Sequence, residues 1–253
     1  MSRFSPNAEG PIGDWQTSKD KLKDCIQHIL HNKTFSDCQF KVQTKSSSAQ
    51  VFQSHKLILA ISSPVFEAML YGVMAEENKP IVVEDIEPDV FKALLEYIYT
   101  DNINLVSSDH YCELYYAARK YMMPYLQKKC MEFIESTLNN NNACKTYEFA
   151  KLFEEVSLMK DCLDIIINQT ESALNEANLK DVKLSTIITI LDLDFLNIQS
   201  EITLFNAVRT CANNNNEDKG LKRFNSHVFI NCYLIVTLCY CFISLIVSFT
   251  YFS

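Results

Sequence analysis

The chain has 253 residues, of which 48% are hydrophobic and 21% charged, so it can bury a core and does not have the composition of a disordered polypeptide. Its formal net charge of -8 argues against a nucleic-acid-binding surface, which needs a basic surplus. Glycine occurs only at Gly10, Gly13, Gly72 and Gly220. Because a phosphate-binding loop needs several glycines close together, these positions exclude a Walker-type nucleotide site and a dinucleotide-binding fold.

Ten cysteines are scattered along the chain, and none forms a Cys-x-x-Cys pair. The first fifteen residues have no apolar core of the kind that a secretory signal needs. We therefore interpret the cysteines as reduced, mostly core-facing thiols of a cytosolic or nuclear protein. Cys25, His28 and His31 are spaced three apart, but they spread around a helix by about 60° per step and no fourth ligand stands out. No metal or cofactor is predicted.

The N-terminal part begins with a predicted flexible leader over residues 1–13. Trp15, Leu22, Ile26 and Ile29 then recur at helical spacing, with lysines and aspartates between them, which predicts an amphipathic helix. The apolar face of such a helix needs a partner surface, either in its own subunit or in another one.

A mixed α/β region is predicted next. Cys38, Phe40 and Val42 alternate with polar residues as in a half-buried strand, and residues 51–53 complete a hairpin with it. Residues 56–61 are almost continuously apolar, which indicates a buried helix. The further predicted elements are a helix over residues 64–71, capped by Ser63 and closed by Gly72, a strand over residues 81–83, and helices that open at Pro88, Ser108 and Pro124, with Ser108 as the cap of its helix.

The region that follows is predicted to be all-helical. Neither proline nor glycine occurs from Tyr125 to Lys219, so no strong helix breaker interrupts it. Two runs of four asparagines, at residues 139–142 and 213–216, are predicted to be loops because asparagine suits turns and caps. The first run is the predicted domain boundary.

The C-terminal end is strongly apolar. The run that begins at Val228 and ends at Phe252 holds twenty apolar residues in twenty-five, and no charge follows Arg223. As a helix it would be about 37 Å long, more than the hydrocarbon core of a bilayer. Two interpretations stay open: a tail anchor that leaves the main body cytosolic, and the product of an aberrant or truncated transcript.

Ordered blocks in the first half of the chain resemble a BTB/POZ domain. Residues 35–40 (FSDCQF), 54–60 (SHKLILA) and 63–69 (SPVFEAM) are similar to the opening of that domain. Blocks within residues 81–99 look like its third strand and the helix after it, and residues 116–121 continue the pattern. Several blocks in the right order make this resemblance more specific than a single short motif.

Residues 142–144 and 152–162 are similar to the helical BACK region that follows some BTB domains, and the subgroup resembled is the BTB–BACK–PHR group, here without the PHR domain. The resemblance implies an α/β BTB/POZ domain, with a small sheet wrapped by helices, followed by an all-α BACK-like region and an apolar C-terminal tail. The predicted divisions are a leader (1–13), a BTB/POZ domain (14–138), a truncated BACK-like helical region (139–226) and the tail (227–253).

The resemblance also implies dimerisation through the N-terminal helix and the first strand. Asp37 and Lys56 match positions that form a buried charged pair near the dimer pocket. Because a buried charge needs a partner, both would then be paired; the alternative is two partly exposed polar residues at strand and helix ends. The expected dimer-interface residues are Trp15, Leu22, Ile26, Ile29, Cys38 and Phe40.

Many members of this family hold a cullin-3 scaffold while a further domain recruits a ubiquitylation substrate. The loop after the helix of residues 91–99 often carries an apolar residue, any residue and then glutamate, which docks into the cullin. This chain has Leu105, Val106 and Ser107 there, so the apolar part is kept and the glutamate is missing. The expected cullin contacts are Leu105, Val106, Ser107, Tyr121 and Met122.

The predicted function is that of a non-enzymatic, homodimeric adaptor for a cullin-3-class ubiquitin ligase scaffold. No activated serine or oxyanion loop accompanies His55, which we interpret as a structural histidine at a helix start. The alternative is a membrane-anchored or purely oligomerising structural protein without a ligase role. We expect a cytoplasmic or nuclear location, with contact to a membrane if residues 228–252 form an anchor, and no nucleic-acid partner.

Overall fold

The computed structural model describes residues 14–73, 75, 79–105, 107–193 and 195–214. The predicted leader at residues 1–13 and the apolar tail at residues 227–253 lie outside the described residues. The chain divides into two compact units, Met1–Ile134 and Glu135–Ser253. Within the described ranges, no helix is both long enough and apolar enough to cross a membrane.

The elements up to the first asparagine run alternate between short strands and helices. A single 3₁₀ turn, Trp15–Ser18, precedes them. They are α1 (Leu22–Asn32), β1 (Cys38–Val42), β2 (Gln50–Ser54), α2 (Lys56–Ser62), α3 (Pro64–Tyr71), β3 (Ile81–Val83), α4 (Pro88–Thr100), α5 (Ser108–Lys120) and α6 (Pro124–Ser136).

The three strands form one sheet in the order β2-β1-β3. Strand β1 pairs antiparallel with β2, where Phe40 lies opposite Phe52, and parallel with β3, where Phe40 lies opposite Ile81. Because side chains alternate across a strand, Phe40 and Val42 point into the core while Gln39 and Lys41 face solvent. Helix α4 packs on the inner face of the sheet, since the rings of Phe40 and Phe91 lie 5.2 Å apart.

The helix ends show which residues define the boundaries. Ser63 caps α3 as predicted, because its Oγ accepts a hydrogen bond from the backbone N–H of Phe66 at 3.2 Å. The cap of α5 is Ser107 and not Ser108, so that prediction is wrong by one residue. Gly72 ends α3 in an extended conformation, and a Cβ there would lie 2.2 Å from the carbonyl oxygen of Ala68. Close backbone approach therefore requires this glycine.

The N-terminal helix is shorter than predicted. Trp15 lies in the 3₁₀ turn rather than in α1, which begins at Leu22. The Trp15 ring nevertheless stacks on His28, with ring centroids 4.2 Å apart, so the turn folds back onto α1.

The second unit is helical over its described residues, as predicted. Its elements are α7 (Ala143–Phe153), α8 (Val156–Asn168), α9 (Thr170–Ala173), α10 (Leu184–Leu191) and α11 (Glu201–Asn214). Helix α7 packs on α8, and α10 packs on α11. The Glu148 carboxylate on α7 accepts hydrogen bonds from the backbone N–H of Lys183 and the hydroxyl of Thr186, both at 2.7 Å, which fastens α7 to the start of α10.

The two asparagine runs differ. Residues 139–142 form a turn as predicted, in which the side chain of Asn142 accepts a hydrogen bond from the backbone N–H of Asn139 at 2.8 Å. In the second run, Asn213 and Asn214 continue α11, so the predicted loop is wrong for these two residues. Asn215 and Asn216 lie outside the described residues.

Candidate protein-interaction surfaces

Two helices of the first unit present apolar side chains to solvent. Leu22 of α1 is 75% exposed, and Leu57 and Ile61 of α2 are 64% and 76% exposed. Leu57 and Ile61 are four residues apart, so they share one face of α2. Only Leu59 of α2 is buried. The prediction for residues 56–61 is therefore right about the helix and wrong about its burial. The exposed leucine and isoleucine pair is typical of a docking surface.

These side chains belong to neighbouring elements. Helices α1 and α2 both pack on α4. His55, at the start of α2, is hydrogen-bonded through Nε2 to the carbonyl oxygen of Thr34, just after α1, at 2.7 Å. The next residue, Phe35, is exposed and adopts a left-handed conformation with φ 63°. We call Leu22, Phe35, Leu57 and Ile61 the N-terminal apolar surface.

Four of the predicted dimer-interface residues are partly accessible to solvent. Trp15, Ile26, Ile29 and Cys38 are half-buried, and α1 has no fully buried residue. Burial raises the pKa of the Cys38 thiol to about 12, and the Asp37 carboxylate adds to the rise while Lys56 opposes it. Cys38 is therefore a neutral thiol at physiological pH.

Phe40 is the exception among the predicted interface residues. It is fully buried, and its ring packs edge-on against Phe66 with centroids 5.7 Å apart and against Phe91 on α4. Strand alternation directs this side chain into the core of its own chain, so its assignment to the dimer surface is wrong.

Asp37 and Lys56 are brought together, but not as an ion pair of side chains. Asp37 is exposed, and its Oδ1 accepts a hydrogen bond from the backbone N–H of Lys56 at 2.7 Å. This contact satisfies one of the free N–H groups at the start of α2. No ion pair joins the two side chains in the described part of the chain. Within one chain the pair is thus a helix cap, and a charged dimer pocket stays a prediction.

The predicted cullin contacts fall into two groups. Leu105 and Ser107 line an open groove of about 380 Å³ between α4 and the start of α5, together with Ala93 and Glu96 of α4. Leu105 is half-buried, and Val106 lies outside the described residues. Asp89 and Lys92 also line it, so the groove offers a small apolar floor bordered by charged side chains of both signs.

Met122 and Tyr121 lie at the end of α5. Met122 is exposed in a left-handed conformation with φ 52°, so it is available to a partner. Tyr121 is fully buried, its ring stacks on Phe66 with centroids 4.1 Å apart, and its carbonyl oxygen accepts a hydrogen bond from Ser63 Oγ at 2.5 Å. Its assignment as a contact residue is wrong, because the helix end turns it into the core.

Sequence reasoning missed Leu57, Ile61 and Phe35 as surface residues. For α2 the apolar run at residues 56–61 indicated burial in the core, and nothing in that run shows which of its side chains face solvent. No group of three or more histidine, cysteine, aspartate or glutamate side chains among the described residues is arranged to hold a metal ion. What these surfaces can provide is contact with other polypeptides.

Comparison with known proteins identifies this arrangement. Residues 26–138 match the model of the BTB/POZ domain, and residues 143–228 match the model described as BTB And C-terminal Kelch, or BACK. The two matches leave the asparagine run at residues 139–142 between them. The chain therefore belongs to the BTB/POZ proteins that carry a BACK domain, and the predicted fold class and family resemblance are confirmed.

Among its curated relatives are two similar proteins of this family. It is 36% identical over 197 residues to BTB/POZ domain-containing protein 3 of Homo sapiens, which covers 78% of this chain and 37% of the relative. It is 35% identical over 209 residues to BTB/POZ domain-containing protein 6 of Xenopus tropicalis, which covers 83% of this chain and 39% of the relative. The chain thus spans about two fifths of the length of these relatives.

A solved structure is also similar to part of the chain. The BTB domain of zebrafish PATZ1 shares 21% sequence identity with it, with a TM-score of 0.38, and the match covers 51% of this chain and 99% of the other.

BTB and BACK domains are protein-interaction domains, and protein interaction is therefore the class of function that the two family matches support.

Proposed function

We propose that this chain is a non-enzymatic adaptor that forms a symmetric dimer through the N-terminal apolar surface and engages a cullin-3-class ligase scaffold through the groove beside Leu105. The observation that carries the proposal is the exposure of Leu22, Leu57 and Ile61 on helices that pack on a common helix, α4. A monomer would leave these three large apolar side chains in water.

The energetics favour association. Full burial of a leucine or isoleucine side chain contributes about 1.5–3 kcal/mol. A two-fold interface uses the same patch on both subunits. Each subunit would therefore bury its own Leu22, Leu57 and Ile61, which makes six side chains in total. Because these side chains are 64–76% exposed before association, the gross gain from six of them is at most about 9–18 kcal/mol, which exceeds the entropic cost of association in the lower part of its range.

The substitution of Leu57 and Ile61 by glutamate tests the dimer. We expect the full-length L57E/I61E chain to sediment with a mass near 29.1 kDa, and the unchanged chain to sediment with twice that mass. Two buried carboxylates on each subunit oppose association strongly, whereas the monomer tolerates them because both positions are exposed. Analytical ultracentrifugation over a range of protein concentrations measures this.

A matched control is available on the second unit. Leu152 near the end of α7 and Val156 at the start of α8 are 73% and 75% exposed, so L152E/V156E also places two carboxylates at exposed apolar positions. We expect this variant to keep the mass of the unchanged chain. A monomeric unchanged chain, or equal masses for both double variants, would contradict the proposed dimer surface.

The cullin part of the proposal is tested separately. Leu105 retains the apolar part of the expected contact and Ser107 replaces the expected glutamate, so we expect binding in the micromolar range rather than tighter. Isothermal titration of the full-length chain with the N-terminal domain of cullin-3 measures it, with L105D as the variant that should lose binding. No heat at micromolar concentrations would rule out this part and leave the dimer unaffected.

A further inference from the structure

Hydroxyl groups fasten the connection between β1 and β2 to the start of α4. This connection, residues 43–49, carries Thr44, Ser46 and Ser47. Oε1 of Glu87, the residue before α4, accepts hydrogen bonds from the Thr44 hydroxyl at 2.7 Å and from the Ser46 hydroxyl at 2.5 Å. The hydroxyl oxygens of Thr44 and Ser47 lie 2.7 Å apart. We call Thr44, Ser46, Ser47 and Glu87 the Glu87 cluster.

The protons of the cluster can be placed because each hydroxyl has only one. A carboxylate accepts and does not donate, so Thr44 and Ser46 give their protons to Glu87, and Ser47 gives its proton to Thr44. The Thr44 hydroxyl oxygen also accepts the backbone N–H of Ser47 at 3.2 Å. The hydrogen bond from Ser46, followed by that from Thr44, lowers the pKa of the Glu87 carboxyl below its ordinary value. Glu87 is therefore negatively charged at physiological pH.

The three serines of the connection differ in accessibility and in partners. Ser46 and Ser48 are exposed, whereas Ser47 is half-buried. Of the two exposed serines, Ser46 is the one that donates to Glu87. An enzyme can therefore reach the Ser46 hydroxyl from solvent, and any group added to its oxygen is placed directly against a carboxylate.

We propose that Ser46 is a phosphorylation site, and that its phosphorylation releases the connection between β1 and β2 from α4. A protein kinase would transfer the γ-phosphoryl group of ATP to Ser46 Oγ. The bond between the γ-phosphorus and the bridging oxygen of ADP breaks, the Oγ–P bond forms, and the hydroxyl proton leaves to solvent. An accessible connection between strands suits this reaction better than a helix or strand, because its backbone can adapt to the enzyme.

Phosphorylation removes an attraction and adds a repulsion. The esterified Oγ has no proton to donate, and the phosphate brings a charge of about -1.5 to -2 next to the Glu87 carboxylate. Glu84, hydrogen-bonded to the side chain at the start of the connection, and Asp89 in the first turn of α4 add further negative charge. The basic neighbour is Lys45, which is exposed and therefore well screened by water. We expect repulsion to prevail, so that residues 43–49 leave α4.

Mass spectrometry of the full-length chain tests the site itself. The chain is expressed in eukaryotic cells and purified with phosphatase inhibitors, and its phosphorylated residues are mapped. We expect phosphate on Ser46, and no phosphate within residues 43–50 of S46A. An unmodified connection, or phosphate on Ser47 or Ser48 in place of Ser46, would overturn the proposal.

Amide hydrogen exchange followed by nuclear magnetic resonance tests the release. Phosphoserine is incorporated at position 46 of the full-length chain during synthesis, so no kinase is needed. We expect the protection of the Ser47 amide, which is bonded to Thr44, to fall about tenfold or more, because charge-assisted hydrogen bonds to Glu87 are lost. Phosphoserine at position 48 is the matched control. It adds the same charge to an exposed serine next to Ser47 and should leave the protection unchanged.

The variant E87Q shows whether the effect acts through Glu87. Glutamine keeps the size of the side chain, removes its charge and can donate to a phosphate, so phosphoserine at position 46 should lower the protection much less in E87Q. Unchanged or increased protection with phosphoserine at position 46 would overturn the release, as would equal losses at positions 46 and 48 or equal losses with and without E87Q. These tests are independent of the proposed dimer and cullin contacts, because the Glu87 cluster contains none of the residues assigned to them.

Discussion

Replacement of Phe40 by alanine should lower the free energy of unfolding by about 3–5 kcal/mol. The ring is fully buried in its own chain and packs against Phe66 and Phe91, so its removal leaves a cavity where β1 meets α3 and α4. Urea denaturation followed by far-ultraviolet circular dichroism measures the change. The loss is comparable to the whole stability of many domains, so partial unfolding at 37 °C is expected.

The F40A substitution should be measured in the L57E/I61E variant, so that the change in stability reports on the core of one chain and not on dimerisation. Dimerisation stabilises the folded state by mass action, and the double substitution removes that contribution. F40A should then lower stability by the same amount at every protein concentration. As a control, Q39A changes the neighbouring, exposed residue of β1 and should cost less than about 0.5 kcal/mol. If F40A lowers the free energy of unfolding only slightly in this background and strongly only in the dimer, Phe40 contributes to the interface rather than to the core of its own chain.

The inward direction of Phe40 could be read from the sequence, whereas its assignment to the dimer came from resemblance alone. Cys38, Phe40 and Val42 alternate with polar residues, and in the structure Phe40 and Val42 are indeed the buried positions of β1. The alternation of side chains along a strand depends only on neighbouring residues, so the sequence alone predicts which of them face the core. For the same reason the bounds of α3 and β3 agree with their predictions, because caps and β-branched runs act over a few residues.

The exposure of α2 could not be predicted in the same way. An apolar run is compatible with burial in the core and with burial against another subunit, and the sequence does not distinguish the two. For the same reason the sequence left two interpretations of Asp37 and Lys56 open, a buried charged pair and two partly exposed polar residues. Whether the Asp37 carboxylate meets the ammonium of Lys56 or its backbone N–H depends on how the start of α2 is placed against β1, which is tertiary information.

The cluster of His55 and its two hydrogen-bond partners lies further beyond sequence reasoning. The prediction of a structural histidine at the start of a helix agrees with its position before α2. Its partners, however, are 44 residues away at Tyr99 and 21 residues away at Thr34. No periodicity or short motif connects such positions, and only the packing of α4 against the sheet and α2 brings them together.

Two tyrosine-to-phenylalanine substitutions should therefore differ in their effect on the free energy of unfolding. Y99F removes a hydroxyl that donates to Nδ1 of His55 and accepts its backbone N–H, and leaves both groups buried and unsatisfied. We expect it to lower the free energy of unfolding by about 2–4 kcal/mol. Y121F removes a buried hydroxyl that has no partner, while the ring keeps its stacking on Phe66.

For Y121F we expect no loss, or a gain of up to about 1 kcal/mol, because an unsatisfied hydroxyl no longer has to be buried. The two variants remove the same atom from the same residue type, and both sites are almost fully buried, so the comparison isolates hydrogen bonding from packing. Urea denaturation at pH 7.5 measures both. Equal losses for Y99F and Y121F would show that ring packing, and not the cluster around His55, accounts for the stability of this region.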